Sequence, residues 1–287
     1  MNENASTTSS RPARRFRRLA TFCLIAAVLI SIVLFRLLLH QARYSPPSAG
    51  LVAWWRGDGN ADDSAGAHHG ILRGGMSFRD GLYGQAFAAG SGGPSSRGGL
   101  RGLLDSFMRR LGYVRTTFLV PGPYRRVFIP DSPDFQLTSL SMGAWINAAG
   151  PSHVVFFRGD NRTGLDPYHM GMELSTGKFA FGVQDANGGA TSLLSPSPIP
   201  LHQWVQYTGT LDAASGDMRL YMNGSLVAQT NTSVRPFLAL DPSQVPGLGI
   251  GNVQDFYDFP FNGGIDEVVL YNRALSPAEV LTLARRP

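Results

Sequence analysis

From residue 51 onward the chain is a series of short apolar runs, most with a period of two, separated by turns rich in glycine. The clearest run lies near the C-terminus, Ile265-Asp266-Glu267-Val268-Val269-Leu270-Tyr271, entered through Gly263-Gly264 and left through Asn272-Arg273. Alternation of this kind is the mark of a strand with one face buried. The same reading predicts strands at Leu51–Trp55, Gly70–Leu72, Ala86–Ala88, Arg126–Ile129, Leu140–Asn147, Val154–Arg158, His169–Leu174, Lys178–Gln184, Trp204–Asp212, Asp217–Met222, Ser225–Thr230, Gly247–Gly251 and Ile265–Tyr271. No amphipathic helix intervenes between them, so the expected fold is an all-β, two-sheet antiparallel jelly-roll sandwich. Asn223-Gly224 is the dipeptide best suited to a two-residue hairpin turn, joining Asp217–Met222 to the strand after it. A single helix start is legible: Ser276 as N-cap, Pro277 at the first helical position and Glu279 closing a capping box.

Two stretches break the rhythm. Residues 91–123 open with a glycine- and serine-rich lead, and Leu103–Leu111 then has helical spacing opposite Arg109 and Arg110, which reads as an insertion with a short helix. Residues 19–39, LATFCLIAAVLISIVLFRLLL, are uncharged as far as Phe35. As a helix they reach about 31 Å, enough to cross a bilayer core. Five arginines precede the run, which by the positive-inside rule keeps the N-terminus in the cytoplasm. The expected organisation is a basic cytoplasmic tail (1–18), a transmembrane signal anchor (19–39), a linker (40–50) and an extracytoplasmic domain (51–287), periplasmic or at the cell surface. A cleaved secretory signal is the competing reading; its apolar core is ordinarily shorter and followed by a small-x-small site, which is missing here.

Composition changes the picture in two ways. The formal charge of +5 is an N-terminal property, because residues 1–50 carry seven arginines against Glu3 while the remainder holds 18 basic and 19 acidic side chains. A nucleic-acid partner for the domain is therefore not expected. The single cysteine, Cys23, lies in the apolar run, so the domain has neither a disulfide nor a thiolate metal site.

Taken in order, several segments resemble a known family. Gly50-Leu51-Val52-Ala53-Trp54-Trp55 with Asp58, the turn Asp63-Ser64-Ala65-Gly66-Ala67-His68-His69-Gly70, Tyr83-Gly84-Gln85-Ala86-Phe87, Leu140-Ser141-Met142-Gly143-Ala144-Trp145-Ile146, Trp204, the Asn223-Gly224 hairpin and Ile265-Asp266-Glu267-Val268 are similar to the landmarks of laminin-G-like jelly-roll modules of the concanavalin A-like lectin/glucanase superfamily. The resemblance implies tryptophans mainly in the core and a binding or adhesion role, with carbohydrate as ligand. A protein-binding scaffold and a degenerate glycoside hydrolase are the alternatives. It also implies a structural calcium ion held by Asp58, Asp266, Asp63 as an alternate ligand, and carbonyls around His68–Gly70, since Ca²⁺ accepts six to eight oxygens of mixed origin. Zinc at His68-His69 is a weaker reading, because adjacent histidines point apart.

For hydrolysis, two facing carboxylates are needed. Glu173 has no acidic partner at i+2 or i+4, and no serine elbow or metalloprotease motif is present. Candidate ligand-binding residues are therefore sought in loops: Tyr257, Asp258 and Phe259 in the aromatic segment before the last strand, and Asn161 and Tyr168 in the segment after residue 159.

Overall fold

The computed structural model describes residues 25–31, 44–89, 125–162, 164–253 and 259–287. The chain divides into two compact units, Met1–Arg43 and Tyr44–Pro287. In the first, 25–31 are helical and expose Ile25, Val28, Leu29 and Ile30. Among the described residues no helix is long and apolar enough to cross a membrane; the rest of the predicted 19–39 span lies outside them, as does the 91–123 insertion.

In the second unit the described residues form fifteen strands: β1 (Leu51–Trp55), β2 (Ile71–Arg73), β3 (Ser77–Asp80), β4 (Gln85–Ala89), β5 (Arg126–Pro130), β6 (Leu140–Ala148), β7 (Val154–Gly159), β8 (Tyr168–Met172), β9 (Lys178–Gln184), β10 (Ala190–Pro198), β11 (Val205–Leu211), β12 (Asp217–Met222), β13 (Ser225–Asn231), β14 (Gly247–Ile250) and β15 (Gly263–Tyr271). They make two antiparallel sheets, β13-β12-β11-β6-β15-β4-β3 with β1 also on β15, and β10-β9-β8-β7-β14-β5-β2. The sheets pack through Trp55 against Phe156, 5.6 Å between ring centroids, and Phe179 stacked on Tyr207 at 3.9 Å. Burial of such rings contributes roughly 2–3 kcal/mol each. This is the expected all-β sandwich, with Trp55 and Trp145 fully buried and Trp54 and Trp204 half-buried.

Three expectations are corrected. β3 (SFRD) and β10 (ATSLLSPSP) are absent from the predicted strands, because polar residues dominate one and prolines interrupt the other. Both are edge strands, where polar residues and proline are tolerated, and the β9–β10 register slips between Leu194 and Pro198. The predicted linker is also not free chain beyond residue 43. Tyr44 and Pro46 are buried, and Tyr44 packs its ring 4.9 Å from Tyr83 and 5.9 Å from Trp54.

The hairpin and the helix form as read. Asn223 and Gly224 both have positive φ, 49° and 81°, and the helix Pro277–Leu283 has both capping-box bonds at Ser276 and Glu279. Its buried Val280 and Leu283 lie on the outer face of the first sheet, with Tyr44, Tyr83, Trp145, Val269 and Tyr271.

Candidate functional site

The carboxylates proposed for calcium can be followed one by one. Asp63 Oδ1 accepts from the Trp54 and Ala65 amides, both at 2.9 Å, and Oδ2 from the His68 amide at 3.1 Å. The His68 carbonyl is taken by the Trp55 indole N–H at 2.8 Å, and the Gly70 amide donates to Ala61 O at 2.8 Å. Asp58 pairs with Arg56 at 2.7 Å and accepts from Gln85 N at 2.8 Å. Asp266 Oδ2 accepts from the Leu82 and Tyr83 amides at 2.8 and 3.0 Å. Protein donors thus occupy most of these oxygens, while Asp266 Oδ1 is buried with no hydrogen bond, and among the described residues no three His, Cys, Asp or Glu side chains are grouped to hold a metal. Asp58 and Asp63 brace turns in this way, as short acidic side chains do. His69 is likewise used locally, its Nδ1 accepting from Asp63 N at 3.2 Å.

Asp266 and Glu267 stand where β15 changes partner. Gly263–Ile265 pair with β4 and Val268–Tyr271 with β1, and the register against β6 slips between Asp266 and Val269. Glu267 absorbs the irregularity with φ at 52°, a left-handed conformation that costs a non-glycine residue on the order of 1–2 kcal/mol. Both acids are fully buried. Glu267 Oε2 accepts from the Trp54 indole N–H, and Arg56 Nε lies 3.9 Å from Oε1. Burial pushes Asp266 up to about 8, against the pull of the Tyr83 and Leu82 amides. Burial and the neighbouring Asp266 push Glu267 up to about 9. Glu173, the acid considered for hydrolysis, is exposed on the β8–β9 turn; Ser175 and Thr176 hydrogen bonds hold it down at about 2.

The outer face of the second sheet carries a different arrangement. One register row crosses all seven strands: Ser192, Gly182, His169, Phe157, Gly249, Phe128 and Ile71. Its neighbours along each strand, such as Phe181, Met170, Phe156, Leu248 and Val127, point into the core, so the row faces outward. Rings in it lie over glycine. A Cβ at Gly182 would meet His169 Nε2 at 2.6 Å and Ser192 Oγ at 2.9 Å, and one at Gly249 would collide with the Phe157 ring. Phe157 and Phe128 are covered, His169 and Gln184 are partly open, and Ser192 and Ala190 are exposed. The accessible floor is therefore β8–β10. Burial pulls the His169 imidazole down, so it is neutral at physiological pH.

Two margins flank this floor. On one, the His153 carbonyl lies over Gly171 and its ring meets Phe259 edge-on at 5.0 Å, with Phe259 39% exposed. On the other, the Asp166 carboxyl lies over Gly159 beside Phe157, and the Asp166 amide donates to Gln184 Oε1 at 3.1 Å. Burial and Asp160 push Asp166 up to about 7. For Asp160 burial works upward, but the Arg162 side chain and the Asp241 amide outweigh it and hold it low.

Of the predicted ligand residues, Phe259 reaches a margin of this face. Asn161 is half-buried and donates its amide to Gln244 O at 2.9 Å. Tyr168 is a correction: it is fully buried, with its hydroxyl on Phe135 O at 3.0 Å, because the strand begins at Tyr168 and turns it inward and His169 outward. Tyr257 and Asp258 lie outside the described residues.

A family model named Laminin_G_3, described as concanavalin A-like lectin/glucanases superfamily, matches residues 121–281, more than half of the chain. The chain belongs to this superfamily. The match begins after β1–β4, yet β1 and β4 pair with β15, and β2 with β5, inside it. No curated protein matches the chain. Among solved structures the superfamily fold recurs in domain 4 of AbnA, a GH43 extracellular arabinanase from Geobacillus stearothermophilus in complex with arabinotriose, at 18% identity over 82% of this chain and 98% of that one, TM-score 0.56. It recurs in the botulinum neurotoxin serotype D binding domain, at 15% identity over 83% of this chain and 52% of that one, TM-score 0.50. The CBM40 domain of Ruminococcus gnavus IT-sialidase bound to α2,3-sialyllactose is 17% identical over 52% and 83% of the two chains, TM-score 0.44. At these identities the likeness is one of fold.

The row centred on His169 lies on strands, away from the aromatic loop read in the sequence. Its signal in the sequence is glycine at outward positions of apolar strands, at Gly171, Gly182, Gly247 and Gly249, where a flat side chain can lie across the sheet.

Proposed function

We propose that this chain is a membrane-anchored, extracytoplasmic binding module that recognises carbohydrate on the outer face of its second sheet. The observation that carries the reading is the imidazole of His169 lying over Gly182, with Ser192, Gln184 and Asp166 around it. A sugar needs a flat surface for its C–H face and a few polar groups for its hydroxyls, and this floor offers both. The outer face of the first sheet is covered by the C-terminal helix and Tyr44. Domain 4 of the arabinanase, solved with arabinotriose, supports a saccharide as the ligand class. Residues 19–39 supply the anchor in this reading, supported by their length and hydropathy.

A protein ligand is the second reading, favoured by Ile71 and Leu72, which are exposed on the edge strand β2. A glycan array probed with the full chain in detergent separates the two. Binding to saccharides that falls about tenfold or more in His169→Ala supports the proposal, since loss of a stacking contact costs on the order of 1–2 kcal/mol. Silence on every glycan favours the protein ligand. Retention in membranes through an alkaline wash tests the anchor.

A further inference from the structure

We infer that the saccharide is uncharged and that Asp166 is the side chain that excludes anionic sugars. This rests on the carbohydrate reading above. The carboxyl of Asp166 lies over Gly159 at the margin of the floor, where only a glycine leaves it room. Its oxygens receive no hydrogen bond from the described residues, so they keep their accepting capacity for a ligand hydroxyl.

Beside Asp166 the cations are already engaged; Lys178 at the far end of β9, and Arg73 and Arg126 over the Phe128 ring, stand farther along the same face. Arg162 is spent on Asp160, its guanidinium making bonds of 2.6–3.0 Å to both oxygens. Arg158, on β7, turns inward to a two-pronged pair with Asp131 at 2.9 and 3.0 Å. His169, on β8, is neutral, and Gln184, on β9, carries no charge. Asp241 adds a second carboxylate beyond Asp160, its amide donating to Asp160 Oδ2 at 2.9 Å. An anionic ligand would therefore meet an unpaired acid in a partly dehydrated setting, where like charges repel most strongly.

The inference has a pH signature. Asp166 titrates near neutrality, so it is mostly ionised at pH 8.5 and mostly protonated at pH 5.5. Exclusion of anions should be strong at the higher pH and relaxed at the lower one. Asp160, whose carboxyl is held low by Arg162, stays ionised and paired across this range.

The test compares neutral probes (arabinotriose, xylotriose, cellotriose and lactose) with sialyllactose and a heparin tetrasaccharide, by titration calorimetry on the full chain in detergent. At pH 8.5 the best neutral probe should bind at least about tenfold more tightly than either anionic one. The gap should narrow at pH 5.5. Asp166→Asn, which keeps the shape and removes the charge, should show the narrow gap at both pH values. Gly159→Ala, which displaces the carboxyl, should do the same if its melting temperature shows it folded. A wild type that prefers the anionic probes overturns the inference, as does an Asn variant whose gap still widens with pH. In both cases the carbohydrate reading survives. Failure of every probe to bind at either pH removes the inference and the reading together.

Discussion

At the scale of single residues, the acids of this chain are distinguished by what donates to them. Asp63 draws three backbone amides onto two oxygens and so fixes the turn that the Trp55 indole closes from the core side. Asp63→Ala would leave these donors unpaired in a half-buried place and should cost about 3 kcal/mol, read from urea unfolding. With the turn held this way, neither calcium nor chelator should move the melting temperature. A rise of several degrees in millimolar Ca²⁺ would instead support the calcium expectation. The sequence showed that Asp58 and Asp63 belong to turns and that Asp266 enters a strand behind a glycine pair. It did not show which oxygens were already satisfied, because the donors come from residues such as Tyr83, 183 positions away from Asp266. Tyr168 failed for a smaller reason. It was read as a loop residue, whereas the strand begins one residue earlier and takes it in on the inward side.

Elements were legible where both faces had a pattern and obscure where one edge was free. β9 and β12 match the read boundaries, whereas β10 carries Pro196 and Pro198 on an edge and leaves no such signal. The fork in β15 lies between these cases. Its period of two was visible, but its bulge was not, and the bulge is what places two acids side by side under Tyr44 and Trp54. A pH dependence follows. In the folded chain Asp266 and Glu267 keep their protons to about 8 and 9, whereas unfolded they lose them near 4. Between these limits the folded state holds more protons, so stability falls as pH rises through the window, then levels off above about 9. Each group contributes up to about 1.4 kcal/mol per pH unit while it differs between the states. Asp166 adds in the same direction as far as about 7. Urea unfolding at pH 5, 7 and 9 should show the decline, and the double variant Asp266→Asn, Glu267→Gln should flatten most of it between pH 7 and 9. An unchanged slope in that variant would mean that the acids ionise in the fold without penalty.

For the whole domain, the two outer faces have separate tasks, and this separation can be tested. The first sheet turns its outer face to the chain's own ends. Tyr44 enters among Tyr83 and Trp54, Tyr83 donates its hydroxyl to Arg285 O, and Trp145 donates its indole N–H to Leu283 O at 3.2 Å. Asp266 and Glu267 hold the backbone and the indole on which this closure rests. The second sheet is built with glycines outward, which make room for His169, Phe157 and Asp166 to lie across it and lower strand stability. The faces should then respond independently to substitution, because sites well separated in a rigid fold add rather than couple. Tyr44→Ala should cost about 3 kcal/mol of stability through lost ring packing, with saccharide affinity unchanged. His169→Ala, at a partly open position, should change stability by less than about 1 kcal/mol while reducing affinity about tenfold. The measurements are urea midpoints and calorimetric titrations on the same samples. If Tyr44→Ala weakens binding at a temperature where the domain remains folded, the two sheets are mechanically linked, and the N-terminal segment at Tyr44 is part of the binding apparatus instead of a closure for the opposite face.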